Sequence, residues 1–194
     1  SHSLEEKEPT APEMKDHLII VGFSFSGKTV SKAAKAAGIP YIIIESNPDT
    51  VKQEKAKEER IQYGDATLGA VLEHAGIKSA RVLVIGISDV PATRKILEIA
   101  KELNPNVCVI AKVRDLEEMK HLNALGADEI IPEEYETSVE IFVRMLEKYL
   151  IPQEDIEKLV NEMRANGYRM MRKLSVDTGI DSSFSLKDGL PGVD

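Results

Sequence analysis

An α/β fold, a doubly wound parallel sheet of six strands with helices on both faces, is what the sequence predicts, and three observations predict it. Short apolar runs alternate with helical patterns from His17 to Leu150. Most of the runs are apolar on both faces, as strands covered on both sides must be. The first run, Leu18 to Val21, meets Gly22, and a helix-like pattern begins within about five residues of it. A strand, a tight turn and a helix in that order make an anion site. The first-turn N–H groups have no intrahelical partner, and the helix dipole adds roughly 0.3–1 kcal/mol for a negative group placed there.

The elements follow in order. The first helix runs to about Ala37 and closes at Gly38 and Pro40. The second strand is YIIIE, residues 41–45, rich in β-branched residues. Asn47 and Pro48 start a charged helix to about Arg60, and the short strand IQY ends at Gly64 and Asp65. Thr67 reads as the N-cap of a helix to His74, with Gly76 as its stop. RVLVIG, residues 81–86, is the fourth strand, followed by a helix from about Val90 to Leu103. VCVIA, residues 107–111, is the fifth, with a helix over about 116–125. DEII, residues 128–131, is the sixth, before a helix over 138–150.

Composition bounds the function. The chain has 194 residues, 42% of them apolar, enough for one ordinary domain with an appendage and a sizeable core. A net charge of −8 argues against a partner among nucleic acids, because such a field repels a phosphate backbone. No run of 18 apolar residues occurs in the sequence. The single Cys108 lies in an apolar run and reads as a buried inert thiol, which suits a reducing, cytosolic compartment. Residues 1–15 are polar, acidic and carry two prolines, and read as a linker or tag. His17, His74 and His121 fall on separate elements without metal-ligand spacing, and no Ser, His and acid set can be paired, so an enzyme is not expected.

Two motifs fit residues 22–29. Gly22, Gly27, Lys28 and Thr29 satisfy a P-loop pattern, the mark of an NTPase that would use magnesium. Gly22 and Gly27 are also the outer glycines of a Rossmann-like dinucleotide fingerprint whose middle glycine is replaced by Ser24. Glu45 favours the second reading. An acid ending strand two, 23 residues after Gly22, is where a ribose hydroxyl would be held. A P-loop enzyme needs an apolar strand running directly into a magnesium-binding aspartate; strand four ends in Gly86, with Asp89 displaced beyond it.

The order GFSFSG, IIIES, YGDAT, ARVLVIGISD, LNPNVCVIAKVRD and LGADEIIPEE is similar to the nucleotide-binding domain of TrkA and RCK potassium-regulating proteins, over residues 16–150. The stretch that follows resembles most the cytosolic part of Kef-type potassium/proton antiporters. The resemblance implies a regulatory domain at the inner face of the cell membrane, forming a homodimer and attached to a membrane-embedded antiporter domain that would precede it. It implies that Gly22, Phe23, Ser24, Phe25, Ser26, Gly27 and Lys28 hold phosphate and that Glu45 with Ser46 holds ribose. Asp65, Ala66 and Thr67 would lie against adenosine, and Ser88, Asp89, Lys112 and Arg114 would line the same pocket. Lys28 can equally face solvent.

The departure from the family is Ser24. Its Cβ stands where the backbone should approach a pyrophosphate, so AMP is the expected ligand, ADP or ATP next, and NAD(H) behind them. Some branches of the family respond to divalent cations. A structural or cation-sensing ring, with Glu133, Glu134 and Glu136 as ligands, is the alternative.

After the domain, Ile156, Leu159, Val160, Met163, Met170, Met171 and Leu174 recur at helical spacing. Residues 151–174 are therefore expected as an amphipathic helical extension that packs on a partner chain, with folding back on its own domain as the alternative. Residues 175–194 show no sustained pattern and read as a flexible tail or linker.

Overall fold

In the computed structural model, residues 14–173 are described, with side chains as far as residue 166. The readings for residues 1–13 and 174–194, and for the side chains of Met170 and Met171, lie outside these described residues. Six strands alternate with helices: β1 (Leu18–Val21), α1 (Phe25–Ala36), β2 (Tyr41–Glu45), α2 (Pro48–Ala56), β3 (Ile61–Tyr63), α3 (Gly69–His74), β4 (Val82–Ile85), α4 (Val90–Leu103), β5 (Cys108–Val113), α5 (Leu116–Ala124), β6 (Glu129–Pro132), α6 (Glu133–Lys148) and α7 (Gln153–Lys173). A 3-10 turn, Ile77–Ser79, joins α3 to β4. The strands form one parallel sheet of order β3-β2-β1-β4-β5-β6. The order reverses between β1 and β4, which sets a crevice at the carboxyl ends of those two strands.

The described chain divides into two compact units. The first runs to Lys112 and takes in Leu125–Ile130; the second holds Val113–Ala124 and the residues from Ile131 onward. In the first, Ile19 and Ile20 of β1, Ile43 and Ile44 of β2, and Leu83 and Ile85 of β4 are fully buried. Each such side chain contributes about 1.5–3 kcal/mol of transfer free energy. His17 is fully buried at the start of β1, where its Nε2 hydrogen-bonds the Ala75 carbonyl oxygen at 2.7 Å.

Among the boundaries that differ from the sequence reading, three have a clear local reason. Helix α2 ends at Ala56 rather than near Arg60, because Glu58 turns left-handed (φ +63°) and lets Arg60 accept from Ile43 N–H of β2. Helix α3 begins at Gly69, not after Thr67. The Asp65 carboxylate takes both the Thr67 N–H (2.9 Å) and its hydroxyl (2.7 Å), which holds Thr67 in a turn. Helix α6 begins at Glu133, five residues before Ser138, since Glu133, Glu134 and Glu136 in its first turn complement the helix dipole.

In the second unit, Leu146 of α6, Ile151 of the connection and Ile156 of α7 form a cluster against Phe142, Val143, Leu159 and Val160. The Tyr135 hydroxyl donates to the Met163 carbonyl oxygen. Arg164 clasps the Glu136 carboxylate through Nε and Nη2, the latter at 2.9 Å. The first half of the α7 apolar face, expected to meet a partner chain, is thus filled from within its own chain, and the helix continues through Gly167.

Candidate nucleotide site

The carboxyl end of β1 is built from glycines that cannot be replaced in place. Gly22 takes φ +95°, and a Cβ there would stand 2.9 Å from Ile87 Cγ2. A Cβ on Gly27 would stand 1.9 Å from the Gly22 carbonyl oxygen, so α1 is seated directly on the turn it follows. Helix α1 starts at Phe25 with Ser24 as N-cap residue, yet no side chain caps its amides and no acid lies in its first turn. That end of the helix is open to an anion.

Glu45 is joined to this turn. Its Oε1 accepts from Phe23 N–H at 3.3 Å, and its Oε2 from Ser46 N–H at 2.6 Å and Asn47 N–H at 3.2 Å. Asn47 in turn caps α2 through Asp49 and Thr50 N–H groups. On the next strand Asp65 and Thr67 form the turn already described, and Ala66 is buried. The Thr67 hydroxyl and N–H hold the Asp65 carboxyl below its usual range, keeping it an acceptor near neutral pH. Residues 22–27, 45–46 and 65–67 therefore lie at the carboxyl ends of three adjacent strands.

The remaining candidates have their own partners or positions. Ser88 is exposed after β4, and Asp89 caps α4 by accepting from Ala92 N–H at 2.9 Å. Lys112 is half-buried near the end of β5. Arg114, in the second unit, pairs with Glu134 at 3.2 Å. With Glu134 and Glu136 both in ion pairs with arginines, the acidic start of α6 is neutralised in part, and among the described residues no three metal-ligating side chains converge. The P-loop roles fit poorly. The Thr29 hydroxyl donates back to the Phe25 carbonyl oxygen at 2.9 Å, and Lys28 Nζ lies 5.2 Å from the centre of the Phe23 ring. Both are spent on the helix's own surroundings, and Gly27 lies inside α1 rather than in a loop before it.

Gly86 is the residue that sequence reasoning missed. The Ser24 hydroxyl donates to its carbonyl oxygen at 3.2 Å, and a Cβ there would stand 3.2 Å from the Val21 carbonyl oxygen. A glycine closing an apolar strand beside the first turn was the available signal of close backbone approach.

Fold and site together define a doubly wound α/β domain in which the glycine turn after β1 and the Glu45 carboxylate of β2 are hydrogen-bonded at the carboxyl ends of the strands. The TrkA-N domain family model matches residues 18–133, and the chain belongs to that family. It is 30% identical over 160 residues to a protein of Alkalimonas amylolytica named as the K(+) efflux antiporter KefB, covering 82% of this chain and 24% of that one. The chain spans about a quarter of the length of the curated relatives it matches. Among solved structures, the Kef CTD of Shewanella denitrificans in AMP-bound form superposes with TM-score 0.69 at 23% identity, over 82% of this chain and 97% of that one. The GsuK channel bound to NAD gives TM-score 0.60 at 20% identity, over 70% of this chain and 24% of that one. Among the described residues no helix is long and apolar enough to cross a membrane.

Proposed function

We propose that this chain is the cytoplasmic nucleotide-sensing domain of a potassium transport system, regulatory rather than catalytic. It binds an adenine nucleotide with phosphate on residues 22–27, ribose on Glu45 and Ser46, and the base beside residues 65–67. Ser88, Asp89 and Lys112 are second-rank contacts. The observation that carries this reading is the Glu45 carboxylate bonded to the Phe23 N–H of the phosphate turn, which sets an acceptor for ribose hydroxyls beside an uncapped helix start. The AMP and NAD named with the two similar structures support the ligand class.

The membrane-embedded potassium/proton antiporter portion of a longer protein is the partner that receives the signal, as the Kef relatives suggest. Two copies of the chain pair, and the exposed Ile141 and Met145 of α6, with Tyr149 at its C-cap, supply an apolar surface for this. Nucleotide regulates transport by binding one arrangement of the pair better than another. A difference of about 1–3 kcal/mol gives a 5- to 150-fold effect.

Thermal unfolding tests the pocket. AMP at about 100 times its dissociation constant stabilises the chain by about 2.7 kcal/mol without magnesium, and Glu45→Ala loses that shift. An equal shift in the variant refutes the assignment of Glu45; a shift with ATP only in the presence of magnesium refutes the sensor reading.

A further inference from the structure

The site described above has two halves, and the contacts around Ser24 separate them. Glu45 ends β2 and Asp65 follows β3, to one side of β1; Gly86 follows β4, on the other side. A dinucleotide bound to a doubly wound sheet must pass from the first half to the second through the crevice between β1 and β4, with its pyrophosphate against the middle residue of the glycine turn. Here that residue is Ser24, in an extended conformation open to any residue (φ −83°, ψ −175°). Its hydroxyl does not cap α1. It reaches across the crevice and donates to the Gly86 carbonyl oxygen.

The two strand ends are held close together at the base of the crevice. Gly86 N–H donates to the Val21 carbonyl oxygen at 2.9 Å, a Cβ placed on Gly22 would meet the Ile87 side chain at 2.9 Å, and one on Gly86 would meet the Val21 carbonyl oxygen at 3.2 Å. On the other side, the first-turn amides of α1 remain without a side-chain cap, so one phosphate group can still dock there. We propose that the Ser24 side chain, fastened to Gly86, closes the crevice between β1 and β4 and makes this a site for a nucleoside monophosphate that excludes dinucleotides. The proposal rests on the nucleotide-binding reading and adds which class of nucleotide the site accepts.

Calorimetric titration of the purified chain with AMP and with NADH tests it, in the wild type, Ser24→Gly, Ser24→Ala and Glu45→Ala. The wild type binds AMP at least about tenfold more tightly than NADH, and Ser24→Gly raises NADH affinity by about tenfold. Ser24→Ala keeps the Cβ and loses only the bond to Gly86, so it probes the hydroxyl in a variant whose backbone preferences match the wild type. Wild-type affinity for NADH equal to that for AMP overturns the proposal. So does an unchanged ratio in a folded Ser24→Gly, whatever the alanine variant does. Should Ser24→Gly fail to fold, an NADH affinity unchanged in Ser24→Ala overturns it instead. Failure of the underlying reading looks different: neither ligand binds the wild type, or AMP binds Glu45→Ala as well as the wild type.

Discussion

Gly27→Ala places a methyl group 1.9 Å from the Gly22 carbonyl oxygen and 3.0 Å from its carbonyl carbon, where ordinary contact begins near 3.4 Å. The shortfall against the oxygen is about 1.5 Å, and both atoms are backbone, so no side chain can rotate away. Either α1 lifts from the sheet or the turn at Gly22 opens, and both lose packing against Ile20 and the buried strand beneath. Overpacking of this kind costs about 3 kcal/mol, and replacing glycine within a helix returns at most about 1 kcal/mol. The net loss of about 2 kcal/mol lowers the unfolding midpoint by about 4–8 °C for a chain of this size. Two other glycines calibrate the argument. Gly69→Ala meets its nearest neighbour at an ordinary 3.5 Å and gains about 0.5 kcal/mol, while Gly38→Ala, in open space at φ +69°, loses about 1 kcal/mol from backbone strain alone. Thermal unfolding of the three variants decides the matter. A Gly27→Ala chain that melts at or above the wild type refutes the seating of α1 on the turn.

Three further outcomes are expected. Ile156→Ala empties a buried position between α6 and α7 and costs about 2–4 kcal/mol, read as faster amide exchange in both helices; unchanged protection would show that α7 is held by something else. Burial alone would raise the Asp128 carboxyl, but hydrogen bonds from Lys101 (2.7 Å) and Val109 N–H (2.7 Å) hold it below the usual range. Its stabilisation is present above the unfolded value near 4 and is lost as pH falls through the lower folded value; Asp128→Asn removes that part of the acid sensitivity, under about 1 kcal/mol at this half-exposed pair. Burial, and then the bond to Glu59, pushes the Tyr41 phenol up to about 12. Its contribution is complete below pH 10 and is lost as pH rises through about 12, so phenolate absorbance shows a group titrating near pH 12 that Tyr41→Phe removes.

The amino-acid order by itself determined the alternation of strands and helices, the position of the glycine turn after β1, and Glu45 at the end of β2. Each depends on short-range pattern: apolar runs too short for helices, glycines where the chain must turn, an acid at a fixed distance from the first glycine. Boundaries set by competing contacts escaped it. Thr67 looks like a helix cap until the Asp65 carboxylate takes its donors, and Glu58 ends α2 early because Arg60 is needed on the sheet. The destination of the α7 face was likewise undetermined, since an apolar stripe states only that something covers it; for the first half of that face, the packing of Ile156 and Val160 against α6 supplied the answer. The tertiary structure alone joined Ser24 to Gly86, residues 62 positions apart, because only the reversal of strand order between β1 and β4 sets those two turns side by side.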